Sequence, residues 1–266
     1  MDLAETENIE HAGIAGASGK AKAPVRRFEH QRGYVLHTYP YSETSLIVET
    51  FTREHGRVPL MAKGAKRPRS ALRGALMQFQ PIELSWSGRG DLRSLLQAEW
   101  LGGLPGLAGS GLFCGFYLNE LLLKLLARDD AHERLFDCYE TALRELAGLG
   151  KSGAGQGEAR TLRGFETELL RETGYALNLN HDENGDAIEP EARYGYDPER
   201  GPRRLAMGRS ADLELLGSTL IGIDNQDYSG PQTAAQAKLL MRYLLNHQLN
   251  GKPLATRQIF SELQQL

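Results

Sequence analysis

The hydrophobic rhythm of the chain changes near residue 104. Before that point apolar positions come in short runs, at 33–39, 45–52, 57–63, 79–87 and 92–100. In the second run Leu46 and Val48 face one way and Ile47, Glu49 and Phe51 the other, which is the two-residue period of a strand. Turn-forming clusters separate the runs: Pro40-Tyr41-Ser42, Glu54-His55-Gly56 and Ser87-Gly88-Arg89-Gly90-Asp91. Five short strands, with a longer insertion between the third and fourth, predict a Greek-key barrel of the OB type, a small SH3-like barrel being the near alternative.

After Leu101-Gly102-Gly103-Leu104-Pro105-Gly106 the period becomes 3.6. Phe113, Phe116, Tyr117, Glu120, Leu121, Lys124 and Leu125 follow helical spacing, as do Leu135, Cys138, Tyr139, Ala142, Leu143 and Leu146. A glycine-rich loop is expected over Gly148–Gly157, then a third helix from Glu158 to Thr173 stopped by Gly174. Residues 175–208 break the rhythm and predict an irregular insert or a small hairpin, with Asn184-Gly185 as a tight turn. Further helices are expected at Ala211–Leu216, Thr233–Leu249 and Thr256–Leu263. The predicted fold class is therefore α+β: an N-terminal five-stranded OB-fold barrel over 26–103, then a helical domain over 104–266 with the insert at 175–208. Residues 1–25 are glycine- and alanine-rich without apolar periodicity, and a mobile tail is expected there.

Composition narrows the function classes. The 266 residues carry 41% hydrophobic side chains and a formal net charge of −3, so a uniformly basic nucleic-acid binder is excluded. The charge is uneven, however: from Arg26 to Trp100 there are 12 Lys and Arg against 7 Asp and Glu, and beyond Trp100 there are 17 against 23. An anionic partner should bind the first domain. No stretch reaches the ~18 consecutive apolar residues of a membrane span, and the acidic N-terminus does not read as a targeting segment. Cys114 and Cys138 fall in helical patterns, which suggests reduced core thiols of a cytoplasmic protein.

Familiar chemical motifs fail on context. Gly148-Leu149-Gly150-Lys151-Ser152-Gly153 imitates a phosphate-binding loop, yet a helix precedes it where such loops need a strand. The seven histidines are scattered without metal-ligand spacing, no nucleophile elbow occurs, and Arg89-Gly90-Asp91 reads as a hairpin turn. Neither catalytic machinery, metal nor cofactor is expected.

What stands out is Met61–Arg73, where Lys63, Lys66, Arg67, Arg69 and Arg73 occur without a carboxylate. Placed on the insertion of a barrel, with Arg57 nearby, they are candidate phosphate contacts for nucleic acid; a solvated surface loop is the alternative. Lys252 and Arg257 add cations near the C-terminus. Tyr34, Tyr39, Tyr41, Phe79 and Trp86 are candidate stacking platforms, with barrel core as the competing role for each.

An ordered set of segments resembles one family. Tyr34-Val35-Leu36-His37, Ser42-Glu43-Thr44-Ser45-Leu46, Gly56-Arg57-Val58, Ala62-Lys63-Gly64-Ala65, Leu72-Arg73-Gly74-Ala75-Leu76, Tyr117-Leu118-Asn119-Glu120-Leu121-Leu122 and Gly251-Lys252-Pro253-Leu254 with Arg257 are similar to the RecO family of bacterial DNA repair and recombination-mediator proteins. The resemblance implies an OB-fold joined to a helical domain, no enzymatic turnover, and binding of single- and double-stranded DNA with annealing of complementary strands. It also implies partnership with RecR, loading of RecA onto DNA coated by single-strand-binding protein, and a cytoplasmic, nucleoid-associated location. Many members carry a four-cysteine zinc module; Tyr175–Met207 has no cysteine, so zinc is not expected. The segment around Leu162–Glu166 resembles the region that takes the acidic tail of single-strand-binding protein, which makes Arg163, Phe165 and Leu169 candidates for that contact. A helix face packed in the core, with one exposed Arg, is the alternative there. A non-catalytic protein-interaction scaffold and an RNA-binding OB protein remain competing functions.

Overall fold

A computed structural model describes residues 26–149, 156–175 and 177–263. The expected tail at 1–25 and most of the glycine loop, including Gly150-Lys151-Ser152, lie outside the described residues.

Five strands close a barrel in the order β1-β2-β3-β5-β4. They are β1 (Arg27–Pro40), β2 (Leu46–Thr52), β3 (Gly56–Ala62), β4 (Ile82–Ser87) and β5 (Arg93–Trp100), with β3 and β5 parallel and the other pairs antiparallel. Strand β1 is long enough to serve two neighbours, its first half pairing with β4 and its second with β2. The change of partner falls at Gly33, where a Cβ would stand 3.0 Å from the Phe51 carbonyl oxygen. Inside the barrel, Val35, Val48, Val58, Leu60, Ile82, Leu84, Trp86 and Leu95 form one apolar core. A short helix, α1 (Ala71–Ala75), follows the basic insertion and had no signature in the hydrophobic pattern.

The opposite face of β1 and β2 is also buried. Tyr34, Leu36 and Phe51 belong to a second core, shared with Phe136, Tyr139 and Leu143 of the helical domain. This explains why β2 is covered on both sides: Val48 points into the barrel, and Phe51 points at the helices. The helices are α2 (Gly109–Leu125), α3 (Glu133–Leu149), α4 (Gln156–Glu172), α5 (Gly217–Asp224), α6 (Pro231–Gln248) and α7 (Ala255–Leu263).

One expectation needs correction. Residues 193–204 form a hairpin of β6 (Arg193–Asp197) and β7 (Gly201–Arg204), and β8 (Glu214–Leu216) pairs with β6 to make a three-stranded sheet. The helix expected over Ala211–Leu216 is thus absent: 211–213 are irregular, Glu214–Leu216 is this third strand, and α5 starts after it. Tyr194 and Leu215 bury into the second core, which anchors the sheet by packing. At Asn184-Gly185 the chain does turn: Gly185 has φ +87, and the amides of Asn184 and Asp186 donate to Asp182 Oδ1.

Candidate nucleic-acid interface

The stretch after β3 is an ordered sequence of turns. Gly64 adopts φ +71, and the chain then closes hydrogen bonds from Arg67 N to Gly64 O, Ser70 N to Arg67 O and Arg73 N to Ser70 O. Ala65 is buried, and Leu72 and Leu76 pack against the barrel core. With apolar residues facing in, Lys63, Lys66, Arg67, Arg69 and Arg73 are all left exposed. Lys66 pins the stretch to the β1–β2 turn: its amide donates to Thr44 O at 2.9 Å and its ammonium to Ser42 O at 3.0 Å.

Among the described residues, none of these five cations has a carboxylate within ion-pair distance. Other barrel arginines do, and several of their partners belong to the helical domain. Arg32 pairs with Glu140, Arg53 with Glu133 at 2.6 Å and Asp137 at 3.1 Å, and Arg93 with Asp129 at 2.8 Å. The barrel's excess positive charge thus falls on the insertion, where no partner neutralises it, while many remaining cations tie the domains together.

Arg57 belongs to the second group, which corrects its assignment as a phosphate contact. Its side chain is only 15% exposed, lies 3.6 Å from Glu49 and donates to the Leu123 carbonyl of α2. Burial works against its charge, with Glu49 opposing. Arg128 holds the other oxygen of Glu49 at 2.6 Å. Arg257 is likewise engaged: its guanidinium donates to Tyr117 Oη at 2.9 Å and to Asn246 Oδ1 at 3.3 Å, and lies 5.4 Å from the centre of the Tyr117 ring. It fastens α7 to α2. Lys252 is exposed, on the α6–α7 connection.

Arg163, Phe165 and Leu169 are 8%, 1% and 0% exposed, so they do not present a surface for a partner's tail. Here the alternative of a packed helix face holds, and it extends to the arginine. Arg163 is clamped on Glu166 by two contacts of 2.6 Å, and Tyr117 donates to the same carboxylate at 2.6 Å. Phe165 does line a cavity of about 190 Å³, but the one cation on that lining, Arg160, is outnumbered there by Glu145 and Glu168, a poor match for an acidic peptide.

The aromatics divide cleanly. Tyr34, Phe79 and Trp86 are core, whereas Tyr39 and Tyr41 are 45% and 56% exposed. Sequence spacing did not reveal that Lys66 bonds the turn next to these tyrosines, because the contact spans 24 residues. Cys114 and Cys138 are half-buried free thiols, pushed up by burial to about 11 and about 12, and take no part. Among the described residues no group of three acidic, histidine or cysteine side chains is placed to hold a metal ion, and no helix is long and apolar enough to cross a membrane.

Comparison with known proteins finds one family along most of the described chain. Residues 27–104 match the family model for the N terminus of recombination protein O, and 108–258 match that for its C terminus. A DNA repair protein RecO of Ralstonia nicotianae is 50% identical over 265 residues, 98% of this chain and 95% of that protein. Proteins of the same description from Dechloromonas aromatica and Nitrosospira multiformis are 52% and 51% identical, over 90% and 91% of this chain and 98% of each of theirs.

Proposed function

The chain belongs to the RecO family of DNA repair proteins, and from that premise we propose that it is a non-catalytic recombination mediator that grips DNA phosphates with the β3–α1 insertion. The observation that carries this is the set of five exposed cations without carboxylate partners, in a domain whose other arginines are largely engaged internally. Lys63, Lys66, Arg67, Arg69 and Arg73 neutralise phosphates and release counterions, with Lys252 as an outlying contact. A site that holds phosphates without reading base edges leaves those edges free, which suits annealing of complementary strands and handling of both single- and double-stranded DNA. RecR, single-strand-binding protein and the loading of RecA complete the mediator role within the cytoplasm, at the nucleoid.

Fluorescence anisotropy with single-stranded oligonucleotides across a salt series tests it. About five phosphate contacts to a single strand give a slope of log K against log salt near −3.5. Replacing Lys66, Arg67 and Arg69 by Ala should weaken binding alike for all sequences and flatten the slope to about −1.4. A salt-insensitive signal, or a triple variant that binds as tightly as the parent, would sink the proposal. Strong preference for RNA over DNA of the same sequence would favour the RNA-binding alternative.

A further inference from the structure

The outward face of β1, β2 and β3 is built in rows across the sheet. In the first row Tyr34 stands opposite Phe51 and Phe51 opposite Arg57. This row is covered by the helical domain, with the Tyr34 ring 5.6 Å from Phe136 and 5.2 Å from Tyr139. The bulge between Val35 and His37 keeps the next outward residues of β1 in phase. The second row is His37, Glu49 and Pro59; Arg128 reaches from beyond α2 to close over Glu49, while His37 stays exposed with its ring 4.5 Å from that of Tyr39. The third row is Tyr39, Ile47 and Met61. Here the cover thins: Tyr39 is 45% exposed, and Ile47 and Met61 are only half-buried.

An aromatic ring beside two partly open aliphatic side chains at a sheet's end would ordinarily be buried or replaced by polar residues. What borders this row is cationic. Lys63 follows Met61 by two residues. Lys66 bonds the carbonyl of Ser42, next to the exposed Tyr41. Three strands at about 4.8 Å spacing make a row about 10 Å across, room for one or two nucleobases.

The geometry points to this row as a base-stacking subsite: we infer that unpaired bases of single-stranded DNA lie on Tyr39, Ile47 and Met61, with Tyr41 at the rim, while Lys63 and Lys66 hold the flanking phosphates. The inference rests on the phosphate-gripping function above and adds the part of the ligand that the cations do not touch. Faces of bases are bound and their pairing edges are not. Because the helical domain covers the first row and Glu49 of the second, the platform takes only a short length of strand, and paired duplex, whose bases are already stacked, gains nothing from it.

The test compares an oligo(dT) strand with an abasic strand of the same length, which has the same phosphates and no bases, by anisotropy at one low salt concentration. The full chain should bind oligo(dT) roughly tenfold or more tighter. Tyr39→Ala should abolish most of that preference while leaving the abasic strand bound as before, and Tyr39→Phe should retain it. Lys63→Ala with Lys66→Ala should weaken both strands together. Equal binding of the two strands by the parent chain, or a Tyr39→Ala effect of the same size on both, would overturn the stacking subsite and leave the phosphate grip standing. Failure to bind either strand would instead remove the grip, and the subsite with it. Unchanged thermal unfolding of Tyr39→Ala serves as the control for folding.

Discussion

Gly56 sits where the barrel meets the helical domain. It has φ +62, and a Cβ there would lie 1.7 Å from the carbonyl oxygen of Asp130. Both the left-handed backbone and the backbone-to-backbone approach demand glycine. Gly56→Ala should therefore destabilise the protein by more than about 2 kcal/mol, read by urea unfolding; a loss below about 1 kcal/mol would show that the joint can open at little cost. A second residue-scale consequence follows from the fully buried Glu166. Glu166→Gln leaves the Arg163 guanidinium in the interior without its counter-charge, and a loss of about 3 to 5 kcal/mol is expected. Stability unchanged by the substitution would mean that water reaches the pair. At this scale the sequence was least legible. Arg57 and Lys63 look alike as cations flanking one strand, yet Arg57 finds Glu49 and a helix carbonyl while Lys63 finds solvent. The partner that separates them lies far along the chain, and spacing carries no record of it. Arg163 was misjudged for a related reason: an amphipathic helix pattern shows which side faces in, and gives no sign that an arginine on that side is neutralised three residues later.

Among elements, the five barrel strands were readable because their period of two persists for several residues between strong turn signals. The third strand of the small sheet was not. Ala211–Leu216 is too short for periods of 2 and 3.6 to diverge, although Leu213 and Leu215, two apart, were consistent with the strand that forms. The terminal helix was found, but Arg257, its one cation, was assigned to DNA, and in the structure it docks the helix. The docking has a second part. Glu120 of α2 accepts hydrogen bonds from the amides of Ala255 and Thr256, at 2.8 and 2.9 Å, and from the Thr256 hydroxyl at 2.7 Å, while Lys124 lies 3.1 Å away. Burial pushes the Glu120 carboxyl up, but the Thr256 hydroxyl, the two amides and Lys124 outweigh it and hold its pKa below the usual glutamate value. The depressed value means that this stabilisation is present above the unfolded pKa and is lost as pH falls through the folded one. The protection of α7 amides, exchange measured relative to the intrinsic rate at each pH, should accordingly fall below about pH 4.5, and Glu120→Gln should bring weaker protection at neutral pH and flatten its acid dependence. Exchange in Glu120→Gln as slow as in the parent would show that Arg257 and the apolar contacts suffice.

For the whole molecule, the question is whether the barrel and the helical domain are two bodies or one. Tyr34, Leu36 and Phe51 leave the barrel's outer face to join the core of the helices, and Asn119 of α2 donates to the Leu36 carbonyl at 2.9 Å while accepting from Tyr139 at 2.5 Å. Removing the helices would strip these aromatics bare and leave Glu49 without Arg128. The two cores therefore share a boundary that neither domain can lose independently, a coupling invisible to a sequence pattern that marks only where the period changes. Both tryptophans, Trp86 and Trp100, lie in barrel strands, so their fluorescence reports the barrel, while ellipticity at about 222 nm, dominated by helix, reports the rest. The two signals should follow a single urea transition with the same midpoint. Phe136→Ala, which removes a ring from the shared core, should lower that midpoint for both probes together, by about 3 to 5 kcal/mol in stability. A fluorescence transition left in place while the helical signal moves would mean that the barrel stands alone. The cations that tie the domains would then be free to part, and the phosphate grip would no longer be confined to the insertion after β3.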